Sequence, residues 1–250
     1  MRPLHIIMPM AGEGSRFAQA GWTTPKPLIE LWGMPLFQRA ISSVAIEGID
    51  MKYSFIVRQE HIDKQGIDRL IKDILPEANV FSVLKTTRGA VETCLVAESV
   101  IDDEDAVVVM DCDLEFRSVR YNELVANALA HPADEADAGA LVSFESDNPR
   151  YSYAEIDEDG RVIRTAEKEP ISNHALCGAY FFGSGKDFKR IAHRLLVDGT
   201  HGKAEFYVSL LYNYLLAEGK TVCLAPMEEY YSYGTPEELL RYGGESPESI

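Results

Sequence analysis

At 250 residues the chain can bury a substantial core and fits one large domain or two small ones. A composition 46% hydrophobic and 26% charged is ordinary for a globular protein and excludes a disordered or fibrous chain. With 40 acidic against 24 basic residues the formal charge is −16, so neither a nucleic-acid polymer nor an anionic membrane is expected as a partner.

Short apolar runs alternate with amphipathic stretches, which predicts an α/β fold with a mixed, mainly parallel sheet flanked by helices. The run 4–10 predicts the first buried strand. It leads into Ala11-Gly12-Glu13-Gly14-Ser15-Arg16-Phe17, where two glycines allow a tight turn and close backbone approach to a ligand. Successive N–H groups in such a turn form a concave anion site, and Arg16 adds a forked guanidinium suited to phosphate oxygens. Lys26 follows as a second cation, its backbone restricted by Pro25 and Pro27. Together these point to a nucleoside triphosphate held by its phosphates. A dinucleotide fold is disfavoured because Phe17 replaces the third glycine of GxGxxG, and no Gly-Lys-Ser/Thr follows as in a Walker A loop.

A helix over 35–46, a strand over 53–58, a helix over 61–75 and a strand over 80–84 come next, Pro35 suiting a first helical position. The stretch 85–93 reads as a strand exit opening a helix over 90–100, with small residues around Gly89 that leave room for a flat ring. Glu92 and Thr93 either read the polar edges of a base or cap the helix and face solvent. The strand 106–110 ends in Asp111-Cys112-Asp113. Two carboxylates spaced i, i+2 at a strand end both reach the loop region, and hard oxygen ligands there suit Mg²⁺ together with substrate phosphates. A helix over 121–130 and strands over 138–144, 153–157 and 162–167 follow. The last two are joined as a hairpin by the acidic turn Asp157-Glu158-Asp159-Gly160-Arg161. A strand over 177–183, helices over 185–196 and 204–217, a strand over 221–226 and a helix over 236–242 complete the pattern. Residues 1–115 read as a nucleotide-binding half, 116–243 as a substrate-binding half, and 244–250 as a frayed tail. Ligands of open α/β sheets settle outside the carboxyl ends of the strands, where the glycine turn and the aspartates both lie.

The wording Gly-x-Gly-Ser-Arg-Phe followed by Pro25-Lys26-Pro27-Leu28 resembles the signature of the nucleotidyltransferases that activate sugar 1-phosphates and related phosphoesters. The resemblance covers most of the chain and is strongest over residues 6–36. It implies a Rossmann-like fold of the nucleotide-diphospho-sugar transferase type, with a small β-hairpin substrate layer. It implies a single catalytic domain that transfers a nucleoside monophosphate from an NTP to a phosphorylated small molecule and releases pyrophosphate. Ala11, Gly12, Gly14, Ser15 and Arg16 are then nucleotide contacts. Arg16 would hold the β and γ phosphates and Lys26 would stabilise charge at the α-phosphate. Base contacts fall around Gly89, Glu92 and Thr93, and Mg²⁺ on Asp113 with Asp111 in support. Glu167-Lys168-Glu169-Pro170 resembles the family's Glu-Lys-Pro, interrupted by Glu169, and places Lys168 on the acceptor phosphate with Asn173 as a further polar contact. Gly178-Ala179-Tyr180-Phe181-Phe182 fits a family strand whose aromatics read as core. Glu205 resembles the family's substrate-binding acid; it binds a hydroxyl or an amine, or only favours a helix N-terminus through the dipole.

One departure stands out. Where many sugar nucleotidyltransferases carry a metal-binding aspartate shortly before Gly-Thr, this chain reads Tyr231-Ser232-Tyr233-Gly234-Thr235. Ser232 sets it apart from glucose 1-phosphate enzymes and makes it look more like capsule-biosynthesis nucleotidyltransferases and cytidylyltransferases for non-sugar phosphates. An unusual phosphorylated acceptor is therefore expected, with CTP slightly favoured as the NTP. Two rivals remain: a nucleotide-sugar-dependent glycosyltransferase, which wants the DxD but not the glycine-arginine-lysine set, and a non-catalytic regulatory relative, which would lose these residues.

Cys94, Cys112, Cys177 and Cys223 have no CxxC spacing and read as core residues, not as zinc ligands or disulfide partners. Of the six histidines only His174 falls near a suspected site. No basic-then-apolar leader opens the sequence and no apolar run approaches ~18 residues, so the cytoplasm is the expected location.

Overall fold

Leu4–Met10 (β1) and Ala106–Met110 are apolar almost throughout because they lie side by side in the middle of a sheet covered on both faces. The computed structural model describes residues 1–243, so the expected tail falls outside it. After β1 come α1 (Ser15–Gln19), the two-residue strands β2 (Glu30–Leu31) and β3 (Met34–Pro35), α2 (Leu36–Val44), β4 (Met51–Arg58), α3 (Gln59–Gln65), α4 (Ile67–Ile74), β5 (Asn79–Val83) and α5 (Ala90–Leu95). The chain continues through β6 (Ala106–Met110), β7 (Leu114–Arg117), α6 (Val119–Leu129), β8 (Gly139–Glu145), β9 (Ser152–Ile156), β10 (Val162–Glu167) and β11 (His174–Phe182). It closes with α7 (Gly185–Asp198), α8 (Leu211–Ala217), β12 (Val222–Pro226), β13 (Glu229–Ser232) and α9 (Pro236–Arg241).

One nine-stranded sheet runs through both halves in the order β10-β9-β11-β6-β1-β4-β5, with β8 on β11 and β12 on β8. β1 is parallel to β4 and β6, and β4 to β5, as the alternating pattern predicts; β11 runs antiparallel to β6, β8 and β9. The register Ile7↔Val109 ends β6 two residues before β1, so the aspartates after β6 run alongside the end of β1 and the start of the glycine turn. One face packs on α2, α4 and α6 through Phe37, Ile71 and Tyr121, the other on α5, α7 and α8 through Val91, Phe188 and Tyr212. A small cluster of Phe17, Trp22, Leu36, Tyr233 and Leu239 ties the first and last helices together.

Several expected boundaries change for local reasons. Pro35 precedes α2 as its cap and pairs in the β2–β3 ribbon, so it is not the first helical residue. Gly66, at φ +62°, splits the expected 61–75 helix in two. The expected helix over 204–217 begins only with a 3₁₀ turn at Val208–Leu210. Upstream, Phe206 is tied to the 88–91 loop, with Phe206 N donating to Arg88 O and Val91 N donating to Phe206 O. Glu205 therefore opens no helix and sits in no helix dipole. The ribbon of β7 and β13 was not expected. Cys94, Cys112 and Cys177 are buried, whereas Cys223 is half-buried with Sγ 3.5 Å from Asp137 Oδ2.

His5 is a polar residue inside a central strand, fully buried, with Nε2 2.8 Å from Ser54 Oγ and Nδ1 unpartnered among the described residues. Burial, then the nearby Lys52 charge, pushes its pKa down to about 4, while Asp102 opposes the shift. The unfolded chain therefore takes up this proton near pH 6.5 and the folded chain only near 4, so stability falls as pH drops through that window. The loss expected between pH 7 and 5 is about 2 kcal/mol. Urea denaturation of a His5→Gln protein should show it much reduced; an unchanged pH slope would clear His5 of the effect.

Candidate active site

The turn after β1 puts Ala11 in a buried position and leaves Gly12 exposed. Gly14, at φ +60°, caps α1 in the left-handed conformation and its carbonyl accepts from Phe17 N and Ala18 N. Ser15 and Arg16 form the exposed first turn of that helix, and Arg16 lines a cleft of about 340 Å³. Lys26 starts a one-turn 3₁₀ helix behind Pro25. Its Nζ donates to Asp113 Oδ2 at 2.8 Å, with the two side chains 24% and 21% exposed. Burial alone would depress the lysine, but Asp113 outweighs it and holds Lys26 above its ordinary value. Burial likewise pushes Asp113 up, and the Lys26 pair more than reverses it, leaving this carboxylate below its usual range.

Asp111 is the contrasting partner. It makes no side-chain hydrogen bond or ion pair with the described residues, and burial, then the Asp113 charge, pushes its carboxyl up to about 7. Its N–H donates to Gly178 O at 2.9 Å, where β11 slips register against β8. Gly178 sits at φ +91°, and a Cβ there would strike the Asp111 carboxylate and Leu114. A glycine is required both for the backbone and for room beside the carboxylate.

The cleft gathers Asp111, Asp113, Glu167, Glu205 and Glu238 against the guanidiniums of Arg16 and Arg150. Glu167 is buried, accepts from Ser209 Oγ at 2.7 Å and is shifted upward by its burial. Glu238 accepts from Ser232 Oγ at 2.9 Å and pairs with Arg150. Gly234 lies between two of these acids: a Cβ there would be 3.2 Å from Asp113 Oδ2 and 3.5 Å from Glu238 Oε2. A carboxylate thus stands beside Ser232, supplied six residues later by the first turn of α9. Sequence reasoning missed Glu238 although it follows the noted Gly-Thr-Pro, and gave Glu167 no role although it precedes Lys168.

The remaining expected contacts are placed unevenly. Lys168, at φ +54°, donates from Nζ to Tyr207 Oη at 2.7 Å and lies 4.7 Å from that ring's centroid, beside the cleft. The hydrogen bond to Tyr207 raises its pKa. Glu205 is exposed at the cleft wall. Asn173 is exposed just before β11, away from the cleft lining, and His174 is half-buried beside it. Gly89, at φ +141°, packs against Phe206, whose backbone N would be 2.5 Å from a Cβ. Glu92 Oε2 accepts from Arg88 N at 2.5 Å and Glu92 Oε1 from Arg88 Nε at 2.9 Å. Thr93 is buried, 2.5 Å from Thr87 Oγ1 and donating to Gly89 O at 3.1 Å. These three shape the loop, Gly89 by its backbone and Glu92 and Thr93 by side chains already engaged within it.

A family model for nucleotidyl transferases matches residues 4–233. The chain belongs to the nucleotidyl transferase family. A glucose-1-phosphate thymidylyltransferase of Streptomyces antibioticus is 26% identical over 176 residues, 68% of this chain and 47% of its own length. One from Xanthomonas campestris pv. campestris is 24% identical over 189 residues, 73% and 61% respectively. The chain therefore spans about half of the first of these curated relatives and under two thirds of the second. Among solved structures, the nucleoside-diphosphate-sugar pyrophosphorylase from Vibrio cholerae RC9 is similar with a TM-score of 0.78 at 25% identity, covering 95% of this chain and 98% of that one. The inositol-1-phosphate CTP transferase from T. maritima shares the fold with a TM-score of 0.72 at 15% identity, covering 96% and 94%. This is the nucleotidyl transferase fold expected from the glycine turn. No helix among the described residues is long and apolar enough to cross a membrane.

Proposed function

We propose that this nucleotidyl transferase moves a nucleoside monophosphate from an NTP to a phosphorylated small molecule and releases pyrophosphate. The observation that carries the reading is the Lys26–Asp113 pair, set beside Asp111 where the glycine turn meets the cleft. A phosphate oxygen of the acceptor attacks the α-phosphorus in line; the new P–O bond forms as the bond to the β-phosphate oxygen breaks, and the electron pair leaves with pyrophosphate. No protein nucleophile is needed, so the residues act by positioning and by neutralising charge. The turn amides of Gly12, Gly14 and Ser15 with Arg16 hold the leaving phosphates. Lys26 meets charge at the α-phosphate, and Lys168 beside Tyr207 draws in the acceptor phosphate. Glu205 and Glu167 face the rest of the acceptor.

The donor set fits a hard divalent cation. Five carboxylates against two guanidiniums line a cleft that must receive two phosphorylated substrates, and Asp111, half-buried, makes no side-chain hydrogen bond or ion pair among the described residues. Among the described residues no three acids, histidines or cysteines converge on one point, which suits Mg²⁺ held by one or two carboxylates and completed by substrate phosphates. Asp113 and Asp111 would hold it, and it would screen phosphate charge during attack.

The substrate side departs from the family pattern at Ser232 and Glu169 while the glycine turn is intact, which favours an ordinary NTP and an unusual acceptor. The T. maritima neighbour, an inositol-1-phosphate CTP transferase, supports CTP as the slightly preferred donor. A pyrophosphate-release screen of four NTPs against phosphorylated sugars, polyols, choline and amino-acid derivatives tests this. Poor activity is expected on glucose 1-phosphate with dTTP or UTP. A kcat/KM of about 10⁴ M⁻¹s⁻¹ or more for that pair would make Ser232 a tolerated variation and remove the argument for another acceptor.

A further inference from the structure

Two guanidiniums line the cleft, Arg16 beside the glycine turn and Arg150 in the turn before β9. Arg150 is held in place before any substrate arrives. Its guanidinium carbon lies 4.6 Å from the Tyr151 ring centroid, and Nη2 donates to Tyr151 Oη and to Glu238 Oε1. Among the described residues Nε and Nη1 make no hydrogen bond, and the side chain is 40% exposed. The rest of the fork is therefore open to an incoming anion.

Glu238 serves that hold. The sequence Thr235-Pro236-Glu237-Glu238 has the form of a capping box, in which the glutamate returns to the N-cap N–H. Glu238 N does donate to Thr235 Oγ1 at 3.3 Å, yet the carboxylate turns to Ser232 and Arg150, one oxygen to each. With both oxygens accepting and a guanidinium beside them, this glutamate serves the arginine and not a metal ion. Ser232 gains a reason as well. Its hydroxyl donates to Glu238 Oε2 at 2.9 Å, whereas an ionised aspartate there has no proton to give and would set two carboxylates against each other.

Lys168 N donates to Tyr151 O at 3.0 Å, one pair beyond Glu167↔Ser152 in the β9–β10 ladder. The two cations thus stand at the same end of one hairpin. Each is steadied on a tyrosine of the cleft wall, Arg150 by Tyr151 and Lys168 by Tyr207. Gly234 lies between Glu238 and Asp113, so the arginine's anchor adjoins the carboxylate assigned to the metal.

We propose that Arg150 is a second contact for the acceptor's phosphate, opposite Lys168, and that Ser232 and Glu238 position it. A guanidinium fork and an ammonium together hold two oxygens of a phosphomonoester and leave the third to attack. Naming the anion an acceptor phosphate rests on the transfer reading above; the anion contact itself does not.

The Arg150 Nε–H resonance, identified by its absence from an Arg150→Lys spectrum, reads this contact without turnover. Inorganic phosphate is expected to shift it saturably, and Lys168→Ala or Glu238→Ala to weaken that titration roughly tenfold, the scale of one charge-assisted hydrogen bond. In steady-state pyrophosphate release, Arg150→Gln is expected to raise the acceptor KM roughly tenfold or more and to leave the NTP KM unchanged, with Arg150→Lys part of the way back. Glu238→Ala should raise the same KM, and adding it to Arg150→Gln should cost nothing further, because it acts through the arginine. A resonance that phosphate leaves in place or shifts without saturation overturns the proposal, as does a titration that Lys168→Ala leaves unchanged. Additive losses in the double variant overturn the role of Glu238. A resonance that responds as expected in a protein releasing no pyrophosphate with any acceptor supports the anion contact and defeats the transfer reading alone.

Discussion

Lys26→Ala is expected to lower turnover by about 10²–10³-fold, the usual cost of losing one preorganised charge contact to a transition state. The lysine is fixed at its base by Pro25 and Pro27 and at its tip by Asp113, so little reorganisation is required when negative charge builds on the α-phosphate. Asp113 raises its pKa, which keeps it cationic throughout the working range. The effect should fall mainly on kcat, because the amides of the turn and Arg16 still hold the other phosphates. Arg16→Ala provides the contrast, with weaker NTP binding as its main consequence. Lys26→Ala protein that is folded by circular dichroism and releases pyrophosphate at a near-normal rate would remove this lysine from the chemistry.

Asp113→Asn is expected to abolish Mg²⁺-dependent turnover, and Asp111→Asn to weaken it. Both changes keep shape and remove charge. Asp113 is already ionised beside Lys26 and faces Gly234 and Glu238 across the cleft, so it is the ready-made ligand. Burial, then the Asp113 charge, raises Asp111 to about 7, so it is only partly ionised near neutral pH and a bound cation would complete its ionisation. Magnesium titrations of activity, with binding of Mn²⁺ followed by electron paramagnetic resonance, separate the two roles. A larger loss of metal affinity in Asp111→Asn than in Asp113→Asn would reverse the assignment.

How much of this was legible beforehand follows from how local each signal is. The strands over 4–10, 106–110 and 162–167 could be read from their apolar runs or alternation, because burial within a sheet dictates composition directly. The positions of the glycine turn and the aspartates were legible for a similar reason: each follows a buried strand, and the parallel register brings those exits together, while Lys26 was marked by its flanking prolines. Glu205 was placed on a helix by pattern, but it falls in a bend before Phe206, whose backbone is tied by hydrogen bonds to a loop more than a hundred residues away. Thr93 looked available to a base, yet its hydroxyl is taken up by Thr87 and Gly89 inside the same loop. The role of Glu238 was not legible. Its helix over 236–242 was legible, but its place beside Ser232 depends on the β7–β13 ribbon, which has no strong sequence period.

The central claim is attack at the α-phosphorus, and the fate of labelled phosphate tests it most directly. With Mg²⁺ and an acceptor that turns over, α-³²P from the NTP should appear in a diphosphate-linked product and γ-³²P in pyrophosphate, in equal amounts and only when both substrates are present. Transfer of γ-³²P to the acceptor, or its release as orthophosphate, would contradict the account.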